Sequence, residues 1–414
     1  MIRRKAAPAE IPPDLTGSNA GQAREHNRAL VLQAIHRNSP ISRAEIARQT
    51  GLTKPGIARI VDRLLDEGLI LEARRRHGLR GQPAIELEID PEGCFSIGVD
   101  IDRDHLTILA VDATGGVRGR VHHEKRFMLP EEVVELTADA ISYFRRSHLV
   151  DEARVAGIGV AIPDWLGELP VLGKPDDYVK WTGFDLRAAL SRLTTHPIFI
   201  DNESNAAAMA ELDYGLGAES RSFFYIYICA CTGGGLVLDG LRHQGAMGLS
   251  GEIGWMPVID DAGPQRGMVQ PLGELFSLYF LYDYLAQNDV HVSKPQDLLT
   301  LDRRGRGLVS IWLKRMSAHI AEAVTHIGLI VDPDAVVVGG RLPVRQLDEL
   351  LHYVNEHLNV ADPNLPTVHR ASIEDAAALG AAAMSTAAAL MLGSADPAQR
   401  TRLPLRTLQS PVAA

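Results

Sequence analysis

Cysteine is nearly missing from this chain: Cys94, Cys229 and Cys231 are the only three among 414 residues. Three cysteines cannot build a disulfide framework, which points to a reducing cytoplasm. Cys229 and Cys231 stand two apart in an apolar strand and read as small core residues, since a metal site there needs two further ligands. No apolar run is long enough to cross a bilayer, and the start lacks the charged, apolar and small-residue regions of a secretory signal. No internal repeat is strong enough to prove duplication. Charge of one sign is also lacking. The net charge is −10, yet residues 1–81 hold 15 Lys/Arg against 8 Asp/Glu, and the remainder holds 27 against 44. A basic head on an acidic body suggests a small nucleic-acid module attached to something that does not touch nucleic acid. With 46% apolar residues the chain can bury a sizeable core in two or three domains.

The basic head carries the sharpest local signal, SRAEIARQTGLTKPGIARIVDRLLDE over residues 42–67. Ser42 is suited to N-cap a short helix whose inner face is Ile46 and Ala47. Gly51 breaks that helix, Thr53 caps the next, and Pro55 falls in its first turn, where a missing N–H costs nothing. Ile57, Ile60, Val61, Leu64 and Leu65 recur at helical spacing. The opposite face offers Thr53, Lys54, Gly56, Arg59 and Arg63, residue types that meet phosphates and base edges in a major groove. A preceding helix is expected from Asn27 to Asn38, with Leu30, Val31, Ala34 and Ile35 inward. Two short extended segments follow, Gly68 to Leu71 and the alternating Ile85, Leu87 and Ile89. The basic loop between them holds Arg74, Arg75, Arg76, Arg80 and Gly81. Helix-turn-helix, strand, basic loop and strand together make a winged helix, whose wing arginines suit a narrow minor groove. Ser42 is grouped with these DNA-contacting candidates.

Beyond a joint at Asp90-Pro91-Glu92-Gly93 the pattern becomes α/β. Two apolar strands, a Gly-Gly turn and a third strand are followed by a helix from Pro130 to Phe144. A strand at RVAGIGVAIP, a helix from Asp185 to Leu193, the strand PIFIDNES and the helix of AAAMAELDYG complete a first lobe. A second lobe repeats the theme with the hairpin SFFYIYICACTGGGLVLDG, helices from Glu274 to Ala286 and Leu308 to Leu329, and the buried strand AVVVGGRL. Alternating strands and helices imply sheets covered on their faces.

GVDID, IDNESNAAAMAE, CTGGGLVLDG, LSGEIGWMPV and AVVVGGRL occur here in the order seen in the repressor/ORF/kinase (ROK) family. The resemblance covers roughly residues 25–392, and the N-terminal module matches the family's regulator branch. It implies a two-lobed, actin-like (ribonuclease H-like) sugar-kinase body behind a winged helix-turn-helix. The expected partition is an arm over 1–22, the DNA module over 24–90, a first lobe over 93–201 and 376–392, a second over 202–375, and a flexible tail over 393–414.

Set against that resemblance, several kinase features are missing. The family's first phosphate turn, D-I-G-G-T, corresponds to Asp100-Ile101-Asp102-Arg103-Asp104, with both glycines gone and two new carboxylates aimed at a phosphate region. The second turn survives as Thr232-Gly233-Gly234-Gly235, and reads equally as a hairpin turn needing positive φ. The catalytic aspartate of N-D-A-N aligns with Glu203, whose extra methylene shifts the carboxylate; misplacement of about 1 Å can cost on the order of a hundredfold. The histidine that serves zinc and sugar is Trp255, and the cysteine loop that follows it is replaced by DDAGPQRGMVQPLGEL. Indole has no lone pair for a metal, so neither zinc nor any cofactor is expected. The sugar side is retained: the resemblance implies that Asn202, Glu203, Glu252 and Glu274 bond sugar hydroxyls, with Asp164 altering the sugar-side loop. Trp255 either stacks on a ligand or fills vacated space. The expectation is a cytoplasmic transcriptional regulator, a repressor, binding a double-stranded DNA operator as a homodimer or homotetramer. Its effector is a sugar or sugar derivative, its kinase body is inactive, and no membrane is involved. An active carbohydrate kinase with a DNA-binding head and a scaffold without ligand binding are the alternatives.

Overall fold

The computed structural model describes residues 20–73, 85–168, 173–260, 266–361 and 365–392. Contacts divide the chain into two units, one holding the N-terminal residues to Ile89 with those from Ala387 onward, the other spanning Asp90–Thr386.

In the first unit α1 (Ala20–Asn38) leads into β1 (Ile41–Ser42), α2 (Arg43–Thr50), α3 (Lys54–Asp66), β2 (Ile70–Glu72) and β3 (Glu86–Ile89). The first helix begins seven residues before the expected Asn27 and overlaps the expected arm. Its inner face is Val31, Leu32, Ala34 and Ile35, with Leu30 only half-buried. Ile57, Val61 and Leu64 of α3 join Ile46 of α2 beneath it. The sheet order is β1-β3-β2. β2 and β3 pair antiparallel as a wing requires (Ile70 opposite Ile89), and the short β1 adds a pairing that two residues could not announce in the sequence. At the other end of the unit, the Arg28 guanidinium donates to the Leu390 carbonyl at 2.7 Å.

The second unit opens with β4 (Phe95–Ile101), β5 (His105–Asp112), β6 (Val117–Glu124), α4 (Pro130–Arg146), β7 (Val155–Ala161), α5 (Leu186–Leu190), β8 (Ile198–Asp201) and α6 (Glu203–Tyr214). It continues through β9 (Phe223–Ile228), β10 (Thr232–Leu238), β11 (Leu241–Arg242), β12 (Pro257–Ile259), β13 (Val269–Pro271), α7 (Leu272–Leu275), α8 (Leu278–Ala286) and α9 (Arg303–Val331). Last come β14 (Ala335–Gly340), α10 (Val344–Ala361), β15 (Thr367–Arg370) and α11 (Ala376–Leu392). One sheet is ordered β6-β5-β4-β7-β8, the other β11-β10-β9-β14-β15. Both have an antiparallel three-stranded meander extended by two parallel strands, so the halves share topology where their sequences share only an outline.

Helices α4 and α5 cover the outer face of the first sheet, and α8, α9 and α10 that of the second. A third cluster joins Leu109, Val111 and Ala161 of the first sheet to Tyr225, Tyr227 and Val337 of the second through α6 and α11. α11 is apolar over most of its length because it is buried on most sides, and α6 buries a run of alanines beside the polar residues of its first turn. Their alanines let backbones approach closely. A Cβ at Gly159 would stand 1.7 Å from the Ala381 carbonyl oxygen, and one at Gly98 2.0 Å from that of Ala378.

Several expected boundaries are corrected. The helix expected from Glu274 to Ala286 is two helices, because Phe276 is fully buried and Ser277 caps a new start, its hydroxyl accepting from the Phe280 amide at 3.3 Å. The Asp185–Leu193 helix shortens to α5, with Asp185 as its cap, and α9 is longer than the expected Leu308–Leu329. Cys229 and Cys231 lie beyond the end of β9, in the bend before β10, rather than within a strand.

Candidate ligand cleft and nucleic-acid interface

The helix pair of the first unit is fixed by its caps. Ser42 and Glu45 form a reciprocal capping box: the Glu45 amide donates to the Ser42 hydroxyl at 3.3 Å and the Ser42 amide to the Glu45 carboxylate at 2.9 Å. Ser42 is buried with its hydroxyl bonded inside the cap, so it sets the helix and does not face a groove. Gly51 closes α2 at φ 68°, left-handed backbone that a side chain would strain. The Thr53 hydroxyl accepts from the Gly56 amide, and Pro55 sits in the first turn of α3. Thr53, Lys54, Arg59 and Arg63 are exposed and Gly56 is half-buried. They are not equivalent. The Arg63 guanidinium is held by Glu67 at 2.7 Å, and Glu67 also takes Arg28 at 2.9 Å. Burial pushes the Glu67 carboxyl up, but its bonds to Arg28 and Arg63 outweigh that and lower it. Arg48, exposed on α2, is a further cation that the sequence reading passed over. The wing residues Arg74, Arg75, Arg76, Arg80 and Gly81 lie outside the described residues.

In the second unit Asp164, Asn202, Glu203, Glu252, Trp255 and Glu274 all line one open cleft. Asn202 organises it. Its side-chain oxygen caps α6 by accepting from the Ser204 amide at 2.8 Å, and its amide donates to Asp164 at 3.0 Å. The cap places Glu203 in the first turn of α6, nearly fully buried and with one carboxyl oxygen unpartnered. Burial, then the Asp102 charge, pushes the Glu203 carboxyl well above the usual range. Burial also raises Glu252, with help from Asp164, to about 7. Asp164 is raised by burial against the pull of Asn202 and Arg242; open solvent on one side at the rim limits that push. Behind the rim, Arg242 pairs with Asp201, whose carboxyl burial nevertheless lifts to about 6.

Trp255 is 49% exposed, so it does not fill vacated space. It meets Trp165 edge to face, with centroids 5.6 Å apart. Trp165 lines the same cleft and was missed because it falls in a turn without periodicity. Arg103 was missed as well. It lines the cleft from the turn joining β4 and β5 and is 2% exposed. That turn is closed by the Asp102 amide donating to the His105 carbonyl at 3.0 Å and pinned by the Phe127 amide donating to the Arg103 carbonyl at 2.6 Å.

The two carboxylates expected to aim at a phosphate region are not bare. Asp104 is bonded by His105 at 2.7 Å and paired with Arg341 at 2.7 Å, while the other ring nitrogen of His105 meets Asp100 at 3.0 Å. Arg341 also reaches Glu124 at 2.6 Å. Asp102 accepts from the Arg103 amide at 2.7 Å and from its guanidinium at 3.3 Å. Burial opposes charge on His105, but Asp100 and the two carboxylate bonds win and raise it to about 10. Among the described residues, only Asp102, Asp104 and His105 cluster closely enough to share a cation. An imidazolium bonded at both nitrogens has no lone pair to give, so the trio is an ion-pair network. Zinc does not fit beside Trp255 either, for the reason its indole gives.

Gly233, Gly234 and Gly235 are in β10 with ordinary φ, which corrects the expected positive-φ turn. Their need is proximity. A Cβ at Gly233 would stand 2.4 Å from the Ser204 hydroxyl, and one at Gly235 2.7 Å from the Ser204 carbonyl oxygen. The glycines seat α6 against the strand.

Comparisons with known proteins give the chain's relatives. Residues 96–388 match the ROK family, and residues 25–80 match the MarR family. The xylose repressor of Bacillus spizizenii is 29% identical over 240 residues, 58% of this chain and 62% of that protein. The chain therefore spans less than two thirds of that repressor's length. The DNA-binding transcriptional dual regulator NagC of Escherichia coli is 23% identical over 395 residues, 88% of this chain and 93% of that protein. A crystal structure of a ROK family transcriptional regulator, homolog of the E. coli MLC protein, shares the fold, with a TM-score of 0.63 and 21% identity over 89% of this chain and 98% of that one.

Proposed function

The chain belongs to the ROK family, and from that premise we propose that it is a DNA-binding transcriptional regulator, a repressor, controlled by a sugar or sugar derivative bound in the cleft. The observation that carries this reading is the pairing of two features in one unit. Asp164, Asn202, Glu203, Glu252 and Glu274, with the indoles of Trp165 and Trp255, line a cleft suited to reading hydroxyl patterns. Beside it, the turn where family kinases hold phosphate is packed with Asp102, Arg103, Asp104 and His105, all 2% exposed. Backbone cannot approach a nucleotide phosphate closely through buried side chains. The body is therefore read as catalytically inactive.

Lys54 and Arg59 on α3 are the proposed contacts to DNA, with Thr53 and Gly56 near the backbone of the groove. Helix-turn-helix proteins read two half-sites about 34 Å apart as two-fold dimers, so a homodimer or a tetramer of two such pairs is the proposed assembly. Effector and DNA are coupled by linkage: a sugar that binds one state more tightly shifts the population that holds DNA. No helix among the described residues is long and apolar enough to cross a membrane, and a cytoplasmic location is proposed with the function.

An active kinase is the competing reading, and Glu203 favours it, since a buried carboxyl of raised pKa at the family's catalytic position resembles a general base. Thermal unfolding against monosaccharides, with Mg-ATP as a separate condition, separates the two. A ligand at a hundred times its dissociation constant adds about 2.7 kcal/mol. A sugar that raises the melting temperature while Mg-ATP neither raises it nor turns over fits the regulator. ATP turnover abolished by Glu203→Gln fits the kinase.

A further inference from the structure

The cleft holds a cation that a neutral sugar leaves unused. Arg103 lines it and is 2% exposed. One guanidinium nitrogen reaches Asp102, at 3.3 Å. The other two nitrogens have no partner among the described residues. A guanidinium is always charged and presents its N–H groups in a planar fork that fits a carboxylate or phosphate in two-point fashion. Those two nitrogens are not among the sealed, unpartnered atoms of the interior, so they keep accessible surface in the cleft and the fork is available to a ligand. Ser204 adds a second unsatisfied group: its hydroxyl lines the same cleft, is buried and has no partner.

We propose that the effector carries an anionic oxyacid group, a phosphate ester or a carboxylate, and that Arg103, assisted by the Ser204 hydroxyl, binds it at the inner end of the cleft. This rests on the reading of the cleft as a sugar site and names the ligand class. Glu203 does not cancel the cation, because burial and the Asp102 charge favour its neutral form, in which it donates a hydrogen bond. The division of labour then follows from position. Asp164 and Glu252 accept hydroxyls toward the mouth, Trp165 and Trp255 flank it, and the one guanidinium of the lining reads the charge.

The test is calorimetric titration of the full chain with glucose against glucose 6-phosphate and glucuronate, N-acetylglucosamine against its 6-phosphate, and xylose against xylonate. Inorganic phosphate is titrated alone, and every probe is repeated on Arg103→Gln and Arg103→Lys. In at least one set the anionic member binds tenfold or more tighter than its neutral parent, and Arg103→Gln erases that preference while the neutral parent's affinity stays within a factor of three. Should Arg103→Gln not fold, Arg103→Lys retains the charge without the fork and reduces the preference. Phosphate ester and carboxylate are told apart by which member of the glucose set wins. Neutral sugars binding as tightly as their anions, with Arg103→Gln indifferent, overturns the inference and leaves the sugar reading standing. No sugar binding, together with weak inorganic phosphate binding that Arg103→Gln removes, upholds the anion site and overturns the sugar reading. Silence across all probes, inorganic phosphate included, overturns both.

Discussion

Glu252 shows how one side chain ties the cleft to pH. Burial and the neighbouring Asp164 lift its carboxyl to about 7. The folded chain then holds that proton at pH values where the unfolded chain has released it, so this group's contribution to stability falls as pH rises from about 4.5 to about 7. Glu252→Gln cannot titrate, and its melting temperature is expected to fall less than that of the parent over the same window. Melts at half-unit pH steps read the difference, and parallel curves would remove Glu252 from this role. Legibility at this scale was uneven. Asp164, Asn202, Glu203, Glu252, Trp255 and Glu274 were found through motifs, and all six meet at one cleft. Arg103 was hidden because a charged residue in a hairpin turn ordinarily sits in solvent, and only the packed turn reveals that this one does not.

Among the elements, α3 separates cations that the sequence treats alike. Arg59 is exposed, whereas Arg63 is tied to Glu67 at 2.7 Å. Arg59→Ala is expected to weaken binding to target DNA by about 1–3 kcal/mol if it reads a base, or to reduce the salt slope by about 1 if it meets a phosphate. Arg63→Ala is expected to change affinity less, because its charge is already matched. Fluorescence anisotropy at several salt concentrations measures both; an unaltered Arg59→Ala would remove α3 from the interface. The helix pair was legible because caps, glycine and proline stand at its ends. The single helix expected over Glu274–Ala286 was not resolved into two, since the apolar spacing runs on across the break while Phe276 turns inward and Ser277 restarts the chain. β1 has only two residues, and β15 is exposed along nearly its whole length, so neither shows an alternating pattern.

Across the whole molecule, charge is arranged by purpose. The basic excess lies in the N-terminal head, and the acidic body holds cations in pairs such as Arg341 with Asp104 and Glu124. Arg341 follows β14 of one sheet, while Asp104 precedes β5 and Glu124 ends β6 of the other, so these pairs join the two halves of the second unit. Arg341→Ala takes from buried Asp104 one of its two cations, leaving the His105 imidazolium alone, and takes the guanidinium from half-buried Glu124. It is expected to cost on the order of 3–5 kcal/mol, read from urea unfolding. A loss below 1 kcal/mol would show the network to be solvated. The shared strand order of the two sheets was beyond the sequence, because topology is set by pairing between distant strands and leaves no local repeat.

Effector control of DNA binding is the central claim, and affinity for promoter DNA in the presence and absence of a sugar or sugar phosphate that raises the melting temperature tests it most directly. An effector that binds one of the DNA-competent and DNA-incompetent states more tightly must by linkage change DNA affinity, and a fivefold or larger change at fixed salt is expected, lost in Glu252→Ala. A ligand that binds the cleft and leaves DNA affinity unchanged would contradict the account.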